Sequence, residues 1–358
     1  MNDVAELKEY VRVHARGQGV GEYRAVLREI RSDQACVPGS WVAQWCQAAQ
    51  RQEARGRDLH AARRYALAAF PFIDGPARLE AHERCVAALG RWAGQQRDVE
   101  PVEVKLDDGV VRCWGSGLGQ RRPRPLVLVM GGIVTVKEQW AAVLPGLRRL
   151  GLAAVVTELP SVGENQIRYG PGSERMLSGL LDALDGRADV SRTHLIALSF
   201  SGHLALRCAA ADRRIATVIT AGAPVGPFFT DQAWHRQLPG ITLDTLAHLT
   251  GTGRDEVAAG LRGWALTPAE LRALDIDVFY AASRRDDIIP PGDTRMLREN
   301  LSRLHLIEHD DLHGSPRHVR ETQLWTLASL LRSCGGRTVQ AAACHGLMRL
   351  EQARRRLT

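Results

Sequence analysis

Ser199 lies in the run Leu195-Ile196-Ala197-Leu198-Ser199-Phe200-Ser201-Gly202-His203, where an apolar strand-like segment passes into a helix-like one. A serine on a sharp strand-to-helix turn stands out as a nucleophile when the residues two before and two after it are small, so that neighbouring backbone can approach. Ala197 and Ser201 meet that demand in place of the usual glycines. Ser201 is the poorer nucleophile, since bulky His203 falls two positions after it. Such a serine needs a base and an acid to orient the base. The β-branched and aromatic segment Asp277 to Ala282 reads as a strand and runs into Asp286-Asp287-Ile288-Ile289-Pro290, which places a carboxylate on a strand-end loop ahead of a helix. Asp286 is preferred to Asp287 as the acid, and the same pair also suits a helix N-cap. Leu304 to Ile307 is a further short strand, followed by a loop holding His309 and His313. His313, with Gly314 beside it for loop freedom, is preferred to His309 as the base. Serine, acid and histidine thus each follow a predicted strand, at the edge where open α/β sheets gather their ligand-facing loops.

A tetrahedral intermediate also requires backbone N–H donors for its oxyanion. The strand Leu126 to Met130 ends in Gly131-Gly132-Ile133, so one donor is the amide of Gly132 or Ile133 and the other that of Phe200, directly after the nucleophile. Around these residues the pattern is α/β. Residues 1–98 carry apolar positions at helical spacing, among them Trp41, Trp45, Tyr65, Leu67, Phe70, Leu89 and Trp92, and form a helical cap domain. A hairpin turning at Asp107-Asp108-Gly109 opens a core domain over 99–333, whose alternating strands and helices predict a mostly parallel central sheet. A helical lid insertion is expected over about 222–274, with Phe228, Phe229 and Trp234 as substrate-binding residues; the same aromatics would serve to anchor any helical insert. A C-terminal helical tail spans 334–358, and its amphipathic run Ala341 to Leu357 is expected to dock back or to supply a homodimer contact.

From about Glu103 to Arg332 the chain resembles the α/β-hydrolase superfamily. The helical segment before the core, Gly131-Gly132 followed by Lys137-Glu138, and the stretch Gly202 to Ala210 followed by Arg214-Ile215 make it similar to the FrsA-like hydrolases. That family includes 2,6-dihydroxypseudooxynicotine hydrolase and the chain-shortening hydrolases of fungal pigment pathways. The loop Glu158-Leu159-Pro160-Ser161-Val162-Gly163 also resembles a glycine-bearing turn of many α/β-hydrolases, with Ser161 in place of one glycine. The resemblance implies that Ser199 attacks a carbonyl, with His313 as base and Asp286 as its acid, and that some members cut a carbon–carbon bond beside a ketone.

The remaining composition narrows the choice. A 358-residue chain with 45% hydrophobic residues can bury a large core. No apolar run reaches the length of a membrane span, and the N-terminus lacks a signal-peptide core, so no membrane partner and a cytoplasmic location are expected. Seven scattered cysteines contain no C-x-x-C pair, which argues against a zinc site or a disulfide framework. The net charge of +7 is spread among acids without a helix-turn-helix or zinc-finger pattern, so no nucleic-acid partner is expected. Gly115-Ser116-Gly117-Leu118-Gly119 lacks dinucleotide spacing and leads into Arg121-Arg122-Pro123 rather than a helix. With neither P-loop nor HExxH, the expectation is a serine hydrolase that uses no cofactor or metal. Its substrate would be a medium-sized, mostly apolar, polyketide-like metabolite with a ketone, ester or thioester carbonyl. Acyl transfer or cyclisation with the same triad, and a non-catalytic binding protein on this fold, are the alternatives.

Overall fold

The computed structural model describes residues 2–335 and 338–356. Five helices come first: α1 (Val4–Gly17), α2 (Tyr23–Glu29), α3 (Trp41–Glu53), α4 (Asp58–Ala69) and α5 (Pro76–Gly94). Their starts follow from the sequence. The Asp3 carboxylate accepts the Ala5 and Glu6 amides at 2.7 and 3.0 Å, the Ser40 hydroxyl accepts that of Ala43 at 3.2 Å, and Pro76 opens α5, where no amide is needed. The aromatic stripe is core. Trp41 packs against Trp45 and Phe70, and all three are buried in a cluster with Leu7, Val11 and Leu67. The inner faces of α4 and α5, through Tyr65 and Leu89, join the main core under the sheet.

The hairpin of β1 (Val99–Leu106) and β2 (Gly109–Ser116) follows, pairing antiparallel. Next come β3 (Pro125–Met130), α6 (Leu144–Arg149), β4 (Ala153–Thr157), α7 (Arg175–Leu184), β5 (Asp189–Ala197), α8 (Phe200–Ala211) and β6 (Ile215–Ala221). The segment from β6 to the next strand is helical: α9 (Pro227–Thr230), α10 (Gln232–His235), α11 (Gly240–Thr250), α12 (Arg254–Gly260) and α13 (Pro268–Arg272). The chain closes with β7 (Asp277–Ser283), α14 (Pro291–Asn300), β8 (Leu304–His309), α15 (Val319–Ser333) and α16 (Thr338–Arg356).

The strands form one eight-stranded sheet in the order β1-β2-β4-β3-β5-β6-β7-β8, antiparallel from β1 to β4 and parallel from β4 to β8. Every residue of β4 is buried, as expected of a strand covered on both faces. The tail helix α16 docks on α15 through Ala328, Leu331, Ala341 and Cys344. Leu357, with which the amphipathic run was expected to end, lies outside the described residues. Among the described residues no helix is long and apolar enough to cross a membrane.

Candidate active site

The end of β5 is pinned on both sides before the chain turns. The Leu198 amide donates to the Met130 carbonyl at 3.0 Å and the Ser199 amide to the Ala221 carbonyl at 2.8 Å, so the ends of β3 and β6 fix the turn. Ser199 then adopts φ 55° and ψ −129°, a left-handed backbone that a serine takes only when its surroundings impose it. The small neighbours are needed for this approach. Ala197 is buried, and the fully buried Ser201 donates its hydroxyl to the Gly131 carbonyl, which ties the elbow to the loop after β3. Gly132 lies so close that a Cβ on it would stand 3.1 Å from the Ser199 Cβ. Ile133 is buried beside it, and Phe200 opens α8, where its amide has no carbonyl one turn earlier to bind. Gly132 thus borders the Ser199 side chain, Phe200 follows Ser199 directly at the start of α8, and Ile133 is the residue after Gly132.

The three residues expected to act together are adjacent. Ser199 Oγ is 3.0 Å from His313 Nε2, and His313 Nδ1 is 3.0 Å from both carboxylate oxygens of Asp286. Asp286 Oδ1 also accepts the amides of Ile288 and Ile289 at 2.9 and 2.8 Å, so the cap-like geometry of the Asp-Asp-Ile-Ile run and the link to histidine are one arrangement. Burial disfavours charge on His313, but the Asp286 carboxylate, by charge and hydrogen bond, together with Asp287, outweighs it and raises the imidazole above its ordinary value. His309 is elsewhere: buried at the end of β8, it stacks on His318 and lies 3.2 Å from the Thr322 hydroxyl.

Residues beyond the three complete the site, and of these only Asp287 was singled out in the sequence, as the alternative acid. Gly222, at φ 59°, backs the pair; a Cβ there would stand 2.7 Å from His313 Cε1 and 3.0 Å from Nδ1. The buried Asp311 accepts the amides of Leu312 and Arg317 at 3.0 and 2.7 Å and so shapes the histidine loop. Asp287 accepts the His313 amide at 3.1 Å and the hydroxyl of Tyr10, from α1, at 2.5 Å. Asp293, buried at the start of α14, gathers the amides of Val225, Gly226 and Phe228 at 2.5, 2.8 and 2.8 Å and holds the loop that leaves β6. Burial pushes its carboxyl up to about 6, against the pull of those amides.

The lid aromatics sit differently from the expectation. Phe228 and Phe229 are fully buried by the protein itself, Phe228 edge to face with both Phe200 and Phe229, and Phe229 also against His203 and Trp264. Their observed contacts are those of anchors, because the short α9 is pressed onto α8 by Asp293. Trp234 is half-buried and donates Nε1 to the Ile288 carbonyl at 2.8 Å, two residues beyond Asp286.

Next to the loop after β3 lies a second charged cluster. Lys137 Nζ is 2.9 Å from Glu138, 3.3 Å from Glu158 and 2.7 Å from Glu164. Glu158 also accepts the Lys137 amide at 3.0 Å and the Glu164 amide at 2.8 Å, which binds the loop after β3 to the loop after β4. Burial, with Glu138 beside it, pushes the Glu158 carboxyl up to about 7 against the pull of Lys137. For Glu138 burial is outweighed by Lys137 and His82, which hold it below the usual value. Donor atoms of His82, Glu138 and Glu158 gather within 4.8 Å, but the Lys137 ammonium already occupies the cationic position among these carboxylates. In the adjoining loop Ser161 takes the left-handed φ of 63° expected of the glycine it replaces.

A mostly parallel sheet flanked by helices, with a serine elbow, an acid loop and a histidine loop at the ends of β5, β7 and β8, defines an α/β-hydrolase. Residues 33–267 match the Esterase FrsA-like family, and the chain belongs to that family. The match includes the cap helices from α3 and the Ser199 elbow. Esterase FrsA of Photobacterium profundum is 20% identical over 294 residues, which are 74% of this chain and 69% of that protein. Against another Esterase FrsA, from Photorhabdus laumondii, the matched part is 56% of that protein's length. Among solved structures, wild-type AbyA5 is 48% identical, with a TM-score of 0.94 over 98% of this chain and 99% of that one. The structure of 2,6-dihydroxy-pseudo-oxynicotine hydrolase, 18% identical with a TM-score of 0.68, shares the fold over 94% of this chain and 95% of its own. The chain is therefore a hydrolase of the α/β type, in an esterase family, as its residues led one to expect.

Proposed function

We propose that the chain is a serine hydrolase acting on an acyl carbonyl, with Ser199 as nucleophile, His313 as general base and Asp286 as the acid that orients it. The reading rests on one observation: the unbroken chain Ser199 Oγ to His313 Nε2 to Asp286, built on a serine at positive φ. In the forward step Ser199 Oγ bonds to the carbonyl carbon and passes its proton to His313 Nε2. The amides of Phe200 and of Gly132 or Ile133 receive the oxyanion. His313 then returns the proton to the leaving oxygen, sulfur or carbon, and water releases the acyl group by the same route. Membership of an esterase family favours an ester or thioester, and cleavage of a carbon–carbon bond beside a ketone follows if the leaving carbon is a stabilised carbanion. A mostly apolar substrate of medium size, of the polyketide kind, suits Ile133, Ile288 and Trp234 around the site, where the described lysine and glutamates are sequestered in the Lys137 cluster.

Intact-mass labelling with a fluorophosphonate tests this reading. A single adduct on the wild-type chain that is lost in Ser199→Ala and His313→Ala is expected, and a screen of aryl esters, acyl thioesters and aryl ketones then ranks the bond. Failure of the wild type to label, with the probe shown to bind, would overturn the reading in favour of a binding protein.

A further inference from the structure

Helix α1 reaches the candidate site from the far end of the chain. Its Leu7, Val11 and Ala15 are buried in the cap core. Tyr10, half-buried, lies off that stripe with its hydroxyl donated to Asp287 Oδ2 at 2.5 Å. The other oxygen of the same carboxylate accepts the backbone amide of His313 at 3.1 Å. Asp287 directly follows the acid Asp286, so His313 is gripped twice: at ring nitrogen by one aspartate and at backbone by the next. More of α1 touches the same loop. Val13 lies 3.4 Å from where a Cβ on Gly314 would stand, and the Arg16 guanidinium reaches the Pro316 carbonyl at 3.4 Å. At its other end, Glu6 accepts the Gly240 and Ile241 amides at 3.0 and 2.8 Å, capping α11 of the helical insert.

From this geometry we infer that Tyr10 and Asp287 are positioning residues for His313, through which the seated cap helix holds the imidazole within reach of Ser199. The inference rests on the serine-hydrolase reading above. Gly314, at φ 70°, gives the histidine loop its freedom, and that freedom must be removed for Nε2 to stay at 3.0 Å from Oγ. A hydrogen bond to a carboxylate is among the stronger ways to do so, since a charged acceptor roughly doubles the worth of the contact. The titratable groups facing His313 are Asp286 and Asp287 from the acid loop and His14 and Tyr10 from α1. Burial and the neighbouring His313 keep His14 low, at about 4, so it is neutral where His313 works. Asp287 thus acts in two separable ways: by geometry, relayed from Tyr10, and by its charge.

Two variants separate them. Tyr10→Phe keeps the charge and loses the tether; fluorophosphonate labelling of Ser199 is expected to slow about tenfold without a fall in the pH midpoint of labelling. Asp287→Asn keeps an acceptor for the His313 amide and loses the charge; the midpoint is expected to fall by about half a unit. Asp287→Asn also weakens the Tyr10 hydrogen bond, so any loss of rate it adds in the double variant is expected to be less than its own loss in the otherwise wild-type chain. The inference is overturned if the wild type labels, His313→Ala does not, and yet Tyr10→Phe labels at the wild-type rate, or if the midpoint is unmoved in Asp287→Asn. A purely structural role would lower the melting temperature of both variants and leave the midpoint where it was, which also counts against it. If the wild type itself fails to label, it is the hydrolase reading that falls.

Discussion

The Lys137 cluster and the Ser199 site are both collections of acids, a base and backbone amides at the ends of neighbouring strands, yet they are finished differently. In the first, Lys137, Glu138 and Glu158 are at most 1% exposed and the ammonium is surrounded by three carboxylates. In the second, the His313 side chain keeps 17% of its surface open and each of its contacts is matched to a single partner. Charge of the first kind, buried at Lys137, Glu138 and Glu158 and open only at Glu164, serves to lock loops, here the loop after β3 to the loop after β4. Charge with an open edge can receive a reacting atom. Burial and partner number, rather than residue type, separate the two.

The comparison predicts opposite outcomes for removing the central residue of each. Ser199→Ala is expected to lower turnover by about 10⁴-fold or more while changing unfolding free energy by no more than about 0.5 kcal/mol, measured by steady-state kinetics and chemical denaturation. Lys137→Met is expected to do the reverse in kind: leaving buried carboxylates unpaired costs about 3–5 kcal/mol of stability, and what folds should be slow because the loop after β3 has lost its clamp. A Lys137→Met chain as stable as the wild type would mean that the cluster is already neutral and the comparison is wrong. Gly222→Ala lies between the two, with a smaller effect. Its Cβ would press on His313 from 2.7 Å and a non-glycine at φ 59° is strained, so the turnover number should fall about 10²-fold with little change in substrate affinity.

Which parts of this were legible in the sequence follows from the range of the interactions. The Ser199 elbow was readable because its demands are local: small residues at 197 and 201 and a strand before it. The sheet was readable for the same reason, and the hairpin expected to turn at Asp107-Asp108-Gly109 is found there, with its strands paired over Val99–Ser116. Asp286 was preferred to Asp287 as the acid, but the part Asp287 plays was not readable, since it takes the His313 amide and the hydroxyl of Tyr10, 277 residues away. Lys137 and Glu138 stood out as points of similarity, but nothing local shows that they are buried or that Glu158 faces them. Phe228 and Phe229 were expected at a substrate surface because a lid needs apolar residues. Which side of a short helix faces the core depends on Asp293, which lies in α14 beyond the next strand, and that contact turned them inward.

The smallest expected effect is a titration, and it compares two histidines. His203 is buried and faces a backbone carbonyl, with its Nε2 2.8 Å from that of Trp264, and burial drives its value down to about 3. Desolvation pulls the more open His313 the same way, and the two aspartates outweigh it. A base must be neutral to accept the serine proton, so kcat/KM should rise with pH through a midpoint above the ordinary histidine value of 6.5, while the buried His203 stays neutral across that range. The direction follows from the charge: carboxylates favour the imidazolium, more hydroxide is needed to remove its proton, and the acid limb moves to higher pH. Asp286→Asn should then bring the midpoint down and, by freeing the ring to take the wrong tautomer, lower the plateau as well. A wild-type midpoint at or below 6.5 would mean that desolvation rules at His313 as it does at His203, and the distinction between open and sealed charge would have to be drawn from geometry alone.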